Sequence, residues 1–228
     1  MKEGVSPETA QPALKRVLRP LIPENWLKER GVYLRLGPSA GPIYARLRVM
    51  DALGIRSANS RRISSGARSF IFVCFGNVMR SPMAELMFKR ALTERDQDGI
   101  AVSSAGIHAI PGSPAHPRAQ IAARELGLPL DHHRSQLLTH QMANRADAIL
   151  AMDFQNKAEL VSRFPEARDK VFMLSAYADG QQYCREIADP YFCDQEGARH
   201  CYAVLQNCIH NLAESLWPAS EIATRRIR

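Results

Sequence analysis

The segment from Cys74 to Pro82, CFGNVMRSP, combines a thiol and a guanidinium with a backbone that can turn sharply. Arg80 lies after the thiol, and arginine is the side chain that grips two phosphate oxygens at once. Gly76 and Asn77 are residue types that tolerate the left-handed angles of a tight loop. We therefore expect inward-pointing N–H groups, reinforced by a following helix N-terminus, to form a nest for an anion such as phosphate.

A sulfur at the base of this nest would lie in line with a bound phosphorus. Cysteines near a helix N-terminus and a cation ionise more readily than free cysteine, so a thiolate nucleophile is expected at Cys74. Ser81 is placed to donate a hydrogen bond to that thiolate. A cysteine followed by an arginine at this spacing also arises by chance, and a cysteine at a strand end can be simple core. The loop alone therefore leaves both interpretations open.

The elements around the loop have the pattern of an alternating α/β domain. The apolar run SFIFVCF is typical of a buried parallel strand, and Gly76 breaks it. Alternation of strands and helices predicts a three-layer sandwich, with a four-stranded parallel sheet and helices on both faces. Ligands of such folds bind at the carboxyl ends of the strands, where Cys74 lies. The further strands are expected near 100–104, 148–152 and 171–174, and the helices near 81–94, 117–126, 154–163 and 196–216.

Charge divides the chain into two parts. Residues 1–68 hold 13 of the 30 Lys and Arg but 5 of the 23 Asp and Glu, a net charge of +8, whereas the other 160 residues have 17 basic and 18 acidic side chains. Residues 1–67 are predicted to be a basic N-terminal extension, comprising a frayed tail over 1–13, two short helices and a Ser-rich linker. The second helix is expected from about Pro42 to Leu53. Residues 68–228 are predicted to form the catalytic domain.

Five motifs in order carry a resemblance to the low-molecular-weight protein tyrosine phosphatases, over about residues 69–217. They are VCFGNVMRSPMAE around the loop, SSAGI at 103–107, HRS at 133–135, DAILAMDFQN at 147–156 and DPYF at 189–192. The resemblance implies a hydrolase of phosphotyrosine that works through a phosphocysteine intermediate on Cys74. Arg80 would hold the equatorial phosphate oxygens. Asp189 would be the general acid for the leaving phenolate and then the base for water.

The resemblance also assigns binding and supporting roles. Tyr191 and Phe192 would wall the cleft for an aryl ring, while a supporting hydrogen-bond network fixes the loop. Backbone N–H groups would complete the phosphate cradle, from Phe75, Gly76, Asn77, Val78, Met79 and Ser81. The supporting network would comprise Asn77, Ser81, Ser104 and His133.

Two departures from the family pattern have consequences. Met79 stands where a second loop cysteine is frequent, and a thioether cannot form the neighbouring disulfide that shelters an oxidised nucleophile. Phe192 replaces a frequent second tyrosine, which removes a hydroxyl but keeps an aromatic wall. We therefore predict that reversible redox protection by that route is absent.

Three alternatives remain open on the sequence. An arsenate reductase shares the loop and the fold but passes a disulfide among several cysteines, which Met79 disfavours. A protein arginine phosphatase of the same family has Thr at the place of Val78. A phosphotyrosine-binding or docking module would lack the nucleophile, the arginine or the acid, and all three are present.

The remaining predictions concern partners and environment. The chain start has no apolar secretory run, no stretch is long enough to span a membrane, and the five cysteines have no disulfide spacing, so a cytoplasmic location is predicted. No metal, cofactor or nucleic acid is expected. A phosphotyrosine protein is the expected substrate, and a tyrosine kinase is a candidate partner through the resemblance. The extension is a candidate for binding a partner or an anionic surface.

Overall fold

A four-stranded parallel sheet forms the centre of the protein. The computed structural model describes residues 24–55, 63–180 and 184–218 of the chain. The strands are β1 (Ser69–Cys74), β2 (Ala101–Gly106), β3 (Ala148–Ala151) and β4 (Val171–Met173). Their order in the sheet is β2-β1-β3-β4, so β1 lies inside the sheet and is almost wholly buried, as its apolar sequence requires. The predicted parallel sheet is confirmed.

Helices cover both faces of this sheet. Successive residues of β1 point to opposite sides, so Phe70 and Phe72 belong to one hydrophobic cluster and Ile71 and Val73 to the other. The three-layer α/β class predicted from the alternation is therefore confirmed. The helices that follow β1 are α2 (Arg80–Thr93), α3 (Pro117–Glu125), α4 (His140–Arg145), α5 (Phe154–Arg163) and α6 (Gln195–Leu216). The short helix α4 was not predicted.

A long, kinked helix, α1, precedes the sheet and spans Glu24–Ala52. Its helical geometry breaks at Gly37, which has φ 69°, a value that glycine adopts without the steric cost other residues meet. Pro38 follows and fits the first turn of the second helical segment. The second helix predicted in the extension, from about Pro42 to Leu53, corresponds to the second half of α1, which begins before Pro42. The apolar residues that indicated the first helix, near 17–22, lie outside the described residues. The predicted tail at 1–13 and most of the linker, residues 56–62, lie outside the described residues.

The second half of α1 packs on the α/β core. Ala40, Tyr44 and Leu47 are buried in the same cluster as Ile71 and Phe154. This cluster covers the sheet face that α5 occupies, and α1 lies directly against α5. The boundary drawn at residue 67 stays a prediction, and α1 contributes side chains to the core beyond it.

Within the described ranges, every helix falls short of the length and apolar character needed to cross a bilayer. In the same ranges, we find no cluster of His, Cys, Asp and Glu suited to hold a metal ion.

Candidate active site

The loop from Cys74 to Arg80 joins the end of β1 to the start of α2. Both terminal side chains are nearly inaccessible, with 3% of Cys74 and 2% of Arg80 exposed, so the loop folds over its own functional groups. The N-terminus of α2 faces the loop and contributes the positive end of a helix dipole. The sequence predicted this strand-to-helix placement.

Asn77 holds the loop in its shape. Its φ of 55° lies in the left-handed region, where asparagine is among the few tolerated side chains. Its amide donates to Ser81 Oγ and to Ser104 Oγ, both at 2.9 Å, and its Oδ1 accepts the backbone N–H of Gln136 at 2.9 Å. His133 Nε2 lies 2.7 Å from the Asn77 carbonyl oxygen. The four residues predicted as a supporting network are therefore brought together around Asn77.

Hydrogen-bond donors surround the sulfur of Cys74. Its Sγ lies 3.0 Å from Ser81 Oγ and accepts the backbone N–H of Asn77 at 3.3 Å. Ser81 Oγ already accepts a proton from the Asn77 amide, so its own proton is available for the sulfur or for the Ala105 carbonyl, 3.3 Å away. One backbone N–H and one hydroxyl within hydrogen-bond distance place the sulfur in a polar setting suited to a nucleophile.

Arg80 is held between two carboxylates. Its Nη1 donates to Asp153 Oδ2 at 2.6 Å and to the Ile187 carbonyl at 2.9 Å, while its Nη2 donates to Asp189 Oδ2 at 2.6 Å. Burial lowers the pKa of the guanidinium, but the charges of Asp153, Asp189 and Cys74 outweigh it and the pKa of Arg80 is raised. Arg80 is thus a permanent, oriented cation at the mouth of the loop.

The end of β2 presses directly on the loop at Gly106. A Cβ added there would lie 2.8 Å from the Phe75 carbonyl oxygen and 2.9 Å from the Asn77 nitrogen. These are backbone atoms that cannot move aside without distorting the loop. Only glycine therefore fits this position, which the SSAGI motif contains but to which the sequence assigned no role.

Aromatic side chains form the rim of the site. The half-exposed ring of Phe75 stacks on His108 with centroids 4.6 Å apart, and His108 also contacts the Glu159 carboxylate. On the other side Tyr191 packs on His116 at 5.3 Å. Phe192 is 95% exposed and packs in a T-shaped arrangement with the Tyr191 ring, with centroids 5.0 Å apart. Tyr191 is therefore better placed than Phe192 to bound the cleft.

The other predicted loop residues divide by where their side chains point. Gly76 and Val78 are partly exposed at the loop surface, whereas the Met79 side chain is buried in the hydrophobic cluster beneath it. Met79 can therefore contribute only backbone to an anion site, which agrees with the prediction of a cradle made by N–H groups.

The sequence assigned no role to three polar residues that contact this network. Asp153 binds Arg80, Glu85 accepts the Ser104 hydroxyl at 2.6 Å, and Gln136 binds Asn77. Asp153 carried a usable signal, because it follows β3 directly and the carboxyl ends of adjacent parallel strands meet at one edge. Glu85 and Gln136 had no such signal in the pattern.

In a comparison with known proteins, residues 69–221 match the family model described as low molecular weight phosphotyrosine protein phosphatase. A probable low molecular weight protein-tyrosine-phosphatase, EpsP, of Ralstonia nicotianae is 40% identical over 54% of this chain and 79% of its own length. A protein-arginine-phosphatase of Bacillus subtilis is 38% identical over 64% of this chain and 95% of its own. The crystal structure of the tyrosine phosphatase Wzb from Escherichia coli K30 with sulphate superposes with a TM-score of 0.60, at 29% identity, over 66% of this chain and 99% of that one.

Proposed function

The chain belongs to the low-molecular-weight phosphotyrosine protein phosphatase family, and we propose that it hydrolyses phosphotyrosine in proteins through a phosphocysteine intermediate on Cys74. As a member of this family it is a hydrolase of phosphoric monoesters. The observation that carries the proposal is the convergence of three groups on one loop: the Cys74 sulfur with the Asn77 N–H and the Ser81 hydroxyl beside it, the buried Arg80, and the Asp189 carboxylate bound to Arg80.

In the first step the Cys74 thiolate attacks phosphorus, a P–S bond forms, and the P–O bond to the tyrosine oxygen breaks. The loop amides and Arg80 stabilise the charge on the equatorial oxygens. Asp189 acts as the general acid and gives a proton to the leaving oxygen, so that a neutral phenol departs. Ser81 stabilises the sulfur as a thiolate before attack and after release.

The position of Asp189 supports its role as this acid. Its Oδ2 accepts a hydrogen bond from Nη2 of Arg80, while its Oδ1 accepts the Tyr191 N–H at 3.2 Å. A phosphate gripped by Arg80 would compete for that nitrogen and bring its ester oxygen beside the carboxyl. Asp189 is largely accessible, which leaves room for a leaving group and then for water.

In the second step a water molecule attacks the phosphocysteine. The Asp189 carboxylate takes a proton from that water, a new P–O bond forms, and the P–S bond breaks with the electron pair returning to sulfur. Inorganic phosphate leaves and the thiolate is regenerated, so the cycle needs no metal or cofactor.

The rival substrate is phosphoarginine, because one of the similar proteins is named a protein-arginine-phosphatase. Val78, however, offers a methyl group at the place where the resemblance gives arginine phosphatases a threonine hydroxyl. Tyr191 beside the loop also suits stacking against an aryl ring. These two observations favour phosphotyrosine.

The proposal is tested with p-nitrophenyl phosphate and two matched phosphopeptides, one carrying phosphotyrosine and one phosphoarginine. We expect hydrolysis of the first two, and Cys74→Ser should abolish it while phosphate binding persists. A preference for the phosphoarginine peptide would identify phosphoarginine, rather than phosphotyrosine, as the substrate. Hydrolysis that survives Cys74→Ser would overturn the mechanism. Reduction of arsenate with thioredoxin would identify the reductase alternative, and ligand binding without turnover the docking alternative.

We further propose that the protein works in the cytoplasm. All five cysteines are free thiols, which suits a reducing compartment. Cell fractionation tests this location. A tyrosine kinase as the substrate protein is a proposal tested by trapping partners on the Cys74→Ser variant.

A further inference from the structure

The short segment Arg185–Ile187, which leads into the loop of Asp189, is in contact with α1. This helix lies outside the region that matches the family model, residues 69–221. The Bacillus subtilis relative is covered over 95% of its length by 64% of this chain, so its matched length leaves little room for an equivalent of α1. The contact is therefore specific to this chain in that comparison.

Arg48 on α1 makes the first contact. Its Nη1 donates to Glu186 Oε2 at 2.8 Å, and its Nη2 donates to Glu29 Oε1 at 2.5 Å. The other oxygen of Glu186 accepts the backbone N–H of Phe154 at 2.8 Å. The guanidinium carbon lies 5.7 Å from the Phe154 ring centroid, which adds a cation–π contact. Glu186 is thus held between α1 and the start of α5.

Asp51, one helical turn beyond, makes the second contact. Arg185 Nη1 donates to Asp51 Oδ2 at 2.9 Å and to the Asp51 carbonyl at 3.1 Å. The carbonyl of Arg185 accepts the Ser175 hydroxyl at 2.7 Å. Two consecutive residues of the segment, with opposite charges, therefore each meet an oppositely charged partner on α1.

The next residue continues directly into the active site. Ile187 donates its N–H to the Met152 carbonyl at 2.8 Å, and its own carbonyl accepts Arg80 Nη1 at 2.9 Å. Asp189 lies two residues after Ile187 in the chain. Met152 is followed by Asp153, the second partner of Arg80, so both carboxylates that hold the guanidinium start from backbone that this segment touches.

We propose that α1 is a positioning element for the general acid, in which Arg48 and Asp51 hold Arg185 and Glu186 so that Asp189 stays over the phosphate loop. This inference rests on the proposed role of Asp189. A segment entering a half-exposed acid loop would otherwise sample more conformations, and general-acid catalysis depends on the distance to the leaving oxygen.

Burial makes the contact sensitive to loss of its cation. Burial is also the main reason that the pKa of Glu186 is raised, with Arg48 and the Phe154 N–H opposing the rise. Without Arg48, the carboxylate would face Asp153 and Glu29 with less compensation and would tend to turn toward solvent. The expected consequence is displacement of the segment rather than unfolding of the domain.

The test uses the full chain with Arg48→Gln and Asp51→Asn, separately and together. The exposed Arg46 on the same helix supplies the matched control, Arg46→Gln. The readout is kcat/KM for p-nitrophenyl phosphate, which has a good leaving group, and for phenyl phosphate, which depends more on the acid. For the double variant we expect a loss of about tenfold on phenyl phosphate and of about twofold or less on p-nitrophenyl phosphate. Arg46→Gln should change neither value, and Arg48→Lys should recover part of the loss.

Equal losses on the two substrates would show general loosening and overturn the inference, as would unchanged values for both. Asp51→Asn keeps the side-chain volume, so the question stays answerable if Arg48→Gln folds poorly. Failure of the proposed function would look different, since the wild-type chain would then be inactive or would keep its activity in Cys74→Ser.

Discussion

Arg80 Nη2 and Asp189 Oδ2 lie 2.6 Å apart although 109 residues separate them in the chain. The pair joins the group that would grip phosphate to the group that would protonate its leaving oxygen. In the free enzyme each satisfies the other, and a bound phosphate would replace the carboxylate on the guanidinium. Binding and acid placement are therefore coupled through one hydrogen bond.

Asp189→Asn should therefore separate binding from protonation. Asparagine keeps the size of the side chain but cannot give up a proton, so kcat/KM for phenyl phosphate should fall by about two to three orders of magnitude. Affinity for inorganic phosphate should stay the same or rise, because a negative charge beside the anion site is removed. Steady-state kinetics and isothermal titration with phosphate measure the two effects. An unchanged kcat/KM would remove Asp189 from the reaction.

Asp153→Asn should weaken the positioning of Arg80. Asp153 Oδ2 holds Nη1 at 2.6 Å, and loss of its charge leaves the guanidinium oriented by the neutral Ile187 carbonyl and by Asp189, which phosphate must displace. We expect KM for p-nitrophenyl phosphate to rise by about tenfold, with a smaller fall in kcat. The exposed Asp131, bound to Arg124, supplies the control Asp131→Asn. Equal behaviour of the two variants would contradict the role of Asp153.

Gly106→Ala should damage the loop by direct steric contact. The new Cβ would lie 2.8 Å from the Phe75 carbonyl, and that peptide is part of the proposed cradle. Activity on p-nitrophenyl phosphate should fall by at least about tenfold, with a loss of stability of about 1–3 kcal/mol. Gly31→Ala is the control, because a Cβ meets nothing within 4 Å there and the backbone is helical. That variant should be neutral or slightly stabilised.

Peroxide should inactivate the enzyme with incomplete recovery in thiols. Met79 has no thiol to trap a sulfenic acid on Cys74. Burial is the main reason that the pKa of Cys201 is raised to about 12, so this buried cysteine stays protonated and is a poor nucleophile at neutral pH. The fraction of activity regained in dithiothreitol after timed peroxide exposure measures this. Full recovery, with a Cys74-containing disulfide seen by mass spectrometry, would contradict the prediction.

Stability should decrease at alkaline pH. Burial raises the pKa of Cys201 to about 12 and also raises the pKa of Tyr202. The unfolded chain therefore loses these protons at a lower pH than the folded chain does. The stabilisation that the two groups contribute to folding is complete below about pH 8.5 and is lost as the pH rises toward their pKa values in the folded state. The free energy of unfolding in urea should fall above that pH by up to about 1.4 kcal/mol per pH unit for each group. Cys201→Ala should make this fall shallower, and an identical slope would contradict the assignment.

Local residue patterns were enough to predict the sheet and the reactive loop. Within that loop the left-handed angle is found at Asn77 but not at Gly76, whose φ is not positive. The apolar run of β1 is typical of a strand inside a sheet, and the residue types of Asn77 and Arg80 suit a tight loop that binds an anion. These are short-range properties, so they are visible in the pattern without a structure. The network of Ser104 and His133 came from the resemblance, and the structure brings both residues to Asn77.

Which distant groups meet the loop depends on how the chain folds in three dimensions. Asp153 and Gly106 reach it because parallel strands end at a common edge. Gln136 reaches it because its segment runs beside the end of β2, where the Gln136 carbonyl accepts the Gly106 N–H at 2.9 Å. These distances depend on pairing that is not encoded in local spacing. The same holds for α1, whose charges appeared in the sequence as a basic extension. Tyr44 and Leu47 bury apolar surface against the domain, and this packing fixes the position of α1. Arg48 and Asp51 therefore lie within hydrogen-bond distance of Glu186 and Arg185.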